Sequence, residues 1–243
     1  LCITQDDSHV FCRESQAKEE AMKIWDMIEI FYGAFGFSLQ LRLSVHDPKH
    51  MENYLGTLET WERAVQAFRS WIEERGEQYE EAPGEAAFYG PKIDFIAKDA
   101  IGREWQVATI QVDRSMPESF NLVCVNEKGE DERIVMLHAA IMGSIERFLS
   151  VLIEHVAGAF PFWLAPEQIR LATVSEDHIP FARALLARLV EADLRSSLDD
   201  SDEKVGKKIR QSAIEKIPWT IVIGRKEAAG EDFKINVFGQ EED

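Results

Sequence analysis

REWQVATIQVD, residues 103–113, alternates along its whole length. Successive side chains of an extended chain point to opposite sides. The spacing therefore predicts a strand with Trp105, Val107, Thr109, Gln111 and Asp113 on one face. Gln106, Ala108, Ile110 and Val112 fall on the other. A row holding Thr109, Gln111 and Asp113 is either a sheet edge or the floor of a ligand pocket. Upstream, residues 86–97 read as a strand interrupted by Gly90-Pro91, with Lys92 and Asp94 on one face. Proline in a sheet belongs at edges and bulges, so this is an edge kink or a bulge that turns Tyr89 or Lys92 into a cleft. Downstream, residues 120–125 read as a third strand. Short polar separators such as 99–102 fit a meander.

Further out, Phe37, Leu39, Leu41, Leu43 and Val45 alternate with Ser38, Gln40, Arg42 and Ser44, which predicts a half-buried antiparallel strand. Residues 3–12 read as a strand end and turn. Helical spacing of apolar residues predicts helices over 14–33 (Ala17, Ala21, Ile24, Trp25, Ile28), 59–75 and 138–156, the last headed by His138. Gly158, Pro161 and Pro166 punctuate a linker over 157–168, so a domain boundary is expected near residue 160. Beyond it, strands at 169–174, 194–198, 219–224 and 233–238 alternate with helices at 179–191 and 204–215. That pattern predicts a small α/β unit with a partly parallel sheet. The fold class is α+β: residues 1–160 an antiparallel domain, residues 161–243 an α/β domain.

The 243 residues carry 45% hydrophobic and 29% charged side chains, enough for a sizeable core. The net charge of −17 repels phosphate globally and argues against a general nucleic-acid coat, though not against a local basic patch. Cys2, Cys12 and Cys124 are scattered, so no disulfide framework is implied and a reducing cytosol is expected. No apolar run reaches the ~18 residues of a membrane span. The chain starts at Leu1 without Met, which suggests a piece of something longer.

Chemistry-bearing residues cluster in a few places. TQDDSH (4–9) packs an amide, two carboxylates and an imidazole together, and extended geometry would project Gln5, Asp7 and His9 to one side. That suits a metal site, or a site for a hydroxyl and an ammonium group; it also suits a polar Asp-turn loop. Near His138, Gly143 permits close approach, and Ser144 and Arg147 are neighbours on a helix. Arg147 there could grip a triphosphate, or form a surface ion pair. Lys204, Lys207, Lys208 and Arg210, with Lys216, predict a basic stripe in the second domain. No GxGxxG, P-loop or GxSxG motif occurs.

Taken in order, TQDDSHVFC (4–12), PGEAAFYGPKIDF (83–95), WQVATIQVD (105–113), HAAIMGSIERF (138–148), FPFWLAP (160–166) and EKVGKKIRQSAIEKIPWTIVIGRKE (203–227) resemble the threonyl-tRNA synthetases, class II aminoacyl-tRNA ligases. The resemblance implies a class II antiparallel catalytic domain, N-terminally incomplete, followed by an anticodon-binding domain. The chain would start inside the family's second signature, without the first signature, the Arg on the ATP α-phosphate, the Cys zinc ligand or any editing domain. It implies ATP-dependent activation of L-threonine to threonyl-adenylate and transfer to tRNA(Thr), with Zn2+ recognising threonine and Mg2+ accompanying ATP. His9 and His138 resemble zinc ligands. Asp7 resembles the acceptor of the threonine hydroxyl. Gln5, Tyr89, Lys92, Gln111 and Ser144 resemble substrate-binding residues, Gln106 and Arg147 ATP-binding ones, with Arg147 catalytic on the γ-phosphate. Asp202, Lys208 and Glu227 fall at anticodon-contacting places. A cytoplasmic homodimer with no membrane association is implied, and the fragment alone is expected to be inactive. Ala139 stands where the family has Arg, Arg114 where it has an aromatic, Asp202 for Asn and Phe238 for Arg. These departures keep open a diverged paralogue serving another acceptor, or a non-catalytic module that senses threonine or RNA.

Overall fold

The structure is a computed structural model describing residues 2–99 and 101–240. Leu1, and Ala100 in the turn expected at 99–102, lie outside the described residues. The chain divides into two compact units, Leu1–Leu152 and Ile153–Asp243, somewhat ahead of residue 160. Among the described residues no helix is long and apolar enough to cross a membrane.

The first unit runs β1 (Ser8–Arg13), α1 (Ala17–Gly33), β2 (Leu39–Val45), α2 (Leu58–Glu74), β3 (Tyr79–Pro83), β4 (Lys92–Lys98), β5 (Glu104–Asp113), α3 (Ser115–Ser119), β6 (Val123–Val125) and β7 (Asp131–Ala140), and ends within α4 (Ile145–His155). The sheet order is β1-β7-β5-β4-β2-β3, with β6 paired to β7. All neighbours are antiparallel except β2 and β3. One face is apolar: Leu41, Leu43, Ile93, Phe95, Ala108, Ile110, Val112, Leu137 and Ala139 are all buried. Helix α1 covers it with the spacing read from the sequence, burying Ala17, Ala21, Ile24, Trp25, Ile28 and Tyr32. Burying a large apolar side chain contributes roughly 1.5–3 kcal/mol. The Trp25 ring meets Phe95 edge-on at 5.2 Å, so α1 and the sheet share one core. Helix α2 docks beside it: Arg75 lies over the Trp25 ring at 4.9 Å and pairs with Asp26 and Glu29 at 2.8 Å each.

Several expectations are corrected. His138 does not head a helix: it sits in β7, and the helix begins at Ile145. Residues 131–140 are held by β1 on one side and β5 on the other, and these long-range ladders override any helical preference. Residues 86–91 are a turn with an isolated bridge, Ala87 to Gly90, and the strand starts at Lys92. The neighbour of β5 is β7 rather than the 120–125 segment, whose short strand pairs with β7 instead. Strand β3 (YEEAP) carries no apolar alternation, so its sequence gives no strand signal.

The alternation read for 103–113 also breaks once. Phe95 pairs with Ala108 but Ile96 pairs with Gln106, so Val107 is an extra residue on β5. This bulge turns Gln106 to the Thr109 and Gln111 face, opposite to the sequence expectation.

The second unit contains β8 (Ile169–Thr173), α5 (Ile179–Glu191), β9 (Ser196–Asp199), α6 (Val205–Ile214), β10 (Trp219–Ile223), α7 (Arg225–Ala228) and β11 (Ile235–Val237). Its sheet order is β11-β10-β8-β9, with β8 parallel to β9 and β10, and β11 antiparallel. Ile169, Leu171, Ala182, Ile221 and Ile223 form its core.

Candidate functional site

The face of the first sheet that α1 leaves free carries a polar row. His9 faces His138, His138 faces Gln111, Gln111 faces Lys92, and Lys92 faces Ser44, each pair in direct register. Residues opposite one another in a ladder share a face. One line of side chains therefore crosses β1, β7, β5, β4 and β2. Thr109 and Asp94, also paired, stand in the adjacent line.

At one end of the row the His9 and His138 rings lie 4.6 Å apart, edge to face. The Tyr89 ring stacks on His138 at 5.1 Å, and its hydroxyl donates to Gln111 Oε1. Tyr89 gets there because Gly90 follows it: a Cβ on Gly90 would lie 2.8 Å from Val112 O. Only glycine lets the turn press this closely on β5. Burial first, and then the carboxylates of Asp113 and Asp7, push the Tyr89 hydroxyl up to about 12. His138 Nε2 lies 3.1 Å from Asp113 Oδ2. Asp113 is fully buried and also accepts the amides of Ser115 (2.7 Å) and Met116 (3.0 Å) at the start of α3. Burial alone would raise its carboxyl, but the His138 ring and the two amides outweigh burial and hold it below its ordinary value. An ionised carboxylate only accepts. Nε2 of His138 therefore carries a proton and donates.

At the other end, Lys92 Nζ lies 3.0 Å from Asp94 Oδ2, and Gln106 Nε2 donates to Asp94 Oδ1 at 2.7 Å. The structure thus brings His9, His138, Tyr89, Gln111, Lys92 and Gln106 to one face.

Gln5 and Asp7 precede β1 and are exposed. Gln5 forms a bridge with Ser144. Asp6, between them, is to the sequence only one member of a polar cluster. Its Oδ2 accepts the amides of both Ile141 and Met142 at 2.8 Å, and its own amide donates to Gly143 O at 2.9 Å. It ties the lead-in of β1 to the loop before α4. Gly143 in that loop has φ +62°, where a side chain is strained, and a Cβ would meet Val107 O at 3.3 Å. Ser144 Oγ accepts the Arg147 amide at 3.4 Å, an N-cap contact that starts α4. The Arg147 guanidinium is exposed and has no ion pair with a described residue, which leaves its donors available. Among the described residues, no group of three or more His, Cys, Asp or Glu converges as a metal cage.

In the second unit the expected basic stripe loses its central member. Lys208 is 2% exposed, and its ammonium donates to Thr173 O at 3.0 Å and Asp199 O at 3.1 Å. It clamps the ends of β8 and β9 from inside, so it cannot face an anticodon from the helix surface. Lys204, Lys207 and Arg210 are exposed, with Lys207 paired to Glu203 at 2.6 Å. Glu227 is half-buried and accepts the Gly224 amide at 2.9 Å, capping α7, while Asp202 is exposed.

Comparison with known proteins gives a consistent result. The family model "tRNA synthetase class II core domain (G, H, P, S and T)" matches residues 2–156, and "Anticodon binding domain" matches residues 168–242. A threonine--tRNA ligase from Phocaeicola vulgatus is 43% identical over 239 residues, 98% of this chain and 37% of that protein. One from Pelodictyon phaeoclathratiforme is 47% identical, over 93% of this chain and 34% of that protein. The crystal structure titled the RNA binding domain of threonyl-tRNA synthetase from Cryptosporidium parvum superposes with a TM-score of 0.91 at 36% identity, covering 98% of this chain and 59% of that one. The chain thus spans little more than a third of the length of the curated relatives it matches.

Proposed function

Because this chain belongs to the class II tRNA synthetases, with the core domain of the G, H, P, S and T group followed by an anticodon-binding domain, we propose that it does the work of a threonine–tRNA ligase. L-threonine would be activated with ATP and Mg2+ to threonyl-adenylate, then transferred to tRNA(Thr). The observation that carries this reading is the register-matched row His9–His138–Gln111–Lys92, closed over by Tyr89. A site of this kind has little covalent work to do. The threonine carboxylate attacks the α-phosphate in line, and positioning with charge neutralisation supplies the rate.

The residues divide the task by their chemistry. Asp7 is assigned the threonine hydroxyl. Gln5, Tyr89, Gln111 and Ser144 line the amino-acid side. Lys92 supplies positive charge near the reacting carboxylate and phosphate. Gln106 and Arg147 hold ATP, and the unpaired guanidinium suits the γ-phosphate.

His9 and His138 fit a shared metal ion as far as this chain goes. Their rings are adjacent, and the Asp113 carboxylate on one nitrogen of His138 is the usual partner of a metal-binding imidazole. A zinc ion held there would supply a Lewis-acid anchor for an amino and a hydroxyl group together, which valine cannot match.

The test is threonine-dependent ATP–pyrophosphate exchange by full-length protein carrying this chain, followed by charging of tRNA(Thr). Exchange driven by threonine and not by valine or serine is expected. No exchange, or exchange driven by another amino acid, overturns the proposal.

A further inference from the structure

Asp94 is 2% exposed and stands in the line next to the polar row. Both of its oxygens are occupied. Oδ1 accepts Gln106 Nε2 at 2.7 Å; Oδ2 accepts Ser44 Oγ at 2.7 Å and faces Lys92 Nζ at 3.0 Å. Ser44 is itself fully buried. A buried carboxylate without partners is costly, and here every contact is a donor.

Two of these donors are special. Lys92 and Gln106 come from different strands, and Gln106 reaches this face only because of the extra residue at Val107. Each spends only part of its capacity on Asp94. An ammonium has three donors and a primary amide two, with an acceptor besides. Neither side chain bonds another described residue. Gln106 is exposed and Lys92 partly so, which leaves their remaining groups open to a ligand.

We propose that Asp94 is the positioning residue that locks Lys92 and Gln106 into one rigid pair, with Ser44 fixing the carboxylate's orientation. This rests on the reading above, in which Lys92 and Gln106 meet the two halves of the adenylate. One carboxylate then sets the spacing between the charge on the amino-acid side and the amide on the nucleotide side. The bulge at Val107 exists in this account to bring the second of them within reach.

A merely structural network would respond to loss of Asp94 in stability alone. A positioning residue changes how Lys92 and Gln106 depend on each other. The experiment is calorimetric titration of full-length protein carrying this chain with a threonyl-sulfamoyl adenosine, a stable mimic of the adenylate. Asp94→Asn keeps the shape and removes the charge facing Lys92. We expect it to weaken binding about tenfold to a hundredfold, the range seen when outer-shell partners are removed from metal sites. Lys92→Met and Gln106→Leu should be non-additive in the native background and additive once Asp94→Asn is present. Ser44→Ala should weaken binding less, with a smaller drop in thermal midpoint than Asp94→Asn, and it decides the matter if Asp94→Asn does not fold. Native affinity in both Asp94→Asn and Ser44→Ala, or additive Lys92 and Gln106 effects in the native background, overturns the inference and leaves the ligase reading standing. No binding by the native full-length protein overturns both.

Discussion

Replacing Asp113 by alanine should release the His138 ring. Three contacts disappear at once: the bond to His138 Nε2 at 3.1 Å, and the amides of Ser115 and Met116 at 2.7 and 3.0 Å. Loss of an acceptor at a helix start costs about 0.5–2 kcal/mol. A hydrogen bond to a charged group contributes about 1.5–3 kcal/mol. Together the loss is about 2–5 kcal/mol, the lower end applying if water reaches the freed amides of α3. For a chain of this size that lowers the melting temperature by roughly 5–20 °C. Asp113→Asn separates the two roles. Its oxygen can still accept the α3 amides, so most of the capping survives. Its NH2 would then donate to His138 Nε2, and the ring proton would have to move to Nδ1. Urea unfolding gives the stability, and long-range 1H–15N correlation spectra give the tautomer. A loss below about 0.5 kcal/mol in the alanine variant, with the His138 tautomer unchanged in the asparagine variant, would refute the claim that Asp113 orients this ring.

Gly90→Ala places a methyl 2.8 Å from Val112 O, so the turn must move off β5. A cost of about 1–3 kcal/mol is expected in urea unfolding, with displaced Tyr89 ring resonances; native stability would show that the close approach is dispensable. Asp6→Ala removes the acceptor of the Ile141 and Met142 amides. Their hydrogen exchange should accelerate well above that of β7, and unchanged protection would count against the tie. The raised Tyr89 hydroxyl favours its neutral form in the folded state. Its contribution to stability is full below about pH 10, the ordinary tyrosine value, and is lost as pH rises toward about 12. Ultraviolet titration against Tyr89→Phe should show this late ionisation; a native tyrosine at this position titrating near 10 would contradict it.

The half of the sheet that touches α1 was legible because burial and period coincide there. Leu41, Leu43, Ile110 and Val112 are apolar at every second place, and Ala17, Ala21, Ile24, Trp25 and Ile28 mark one stripe. The polar half was legible only in part. Thr109, Gln111 and Asp113 keep the face their spacing predicts. Gln106 does not, because one extra backbone residue inverts everything before it, and no residue type at Val107 announces that. His138 was placed on a helix because what fixes it is the ladder to residues more than a hundred places away. Lys208 shows a third limit: the local pattern puts a lysine among lysines, and only the converging ends of β8 and β9 decide that this one is buried. Ser44 carried one signal that could have found it, a small hydroxyl after Gln40 and Arg42 on the polar face of a strand whose other face is all leucine and valine.

The two faces of the sheet explain why the site tolerates so many polar groups at its floor. Ser44, Asp94 and Asp113 are all essentially buried, yet each is satisfied by a partner on a neighbouring strand or by a helix start. An isolated buried carboxylate costs several kcal/mol, and two would be prohibitive without such partners. Each carboxylate here holds side chains on its own face of the sheet, Asp113 holding His138 and Asp94 holding Lys92 and Gln106. The cost of burying charge is thereby offset by fixing the groups that would face a ligand. A polar floor whose charges were surplus would instead be replaced by apolar residues at little loss. Substituting Asp94 and Asp113 with apolar residues should therefore disturb the His9–His138 and Lys92–Gln106 ends of the row independently, since no described bond joins the two carboxylates.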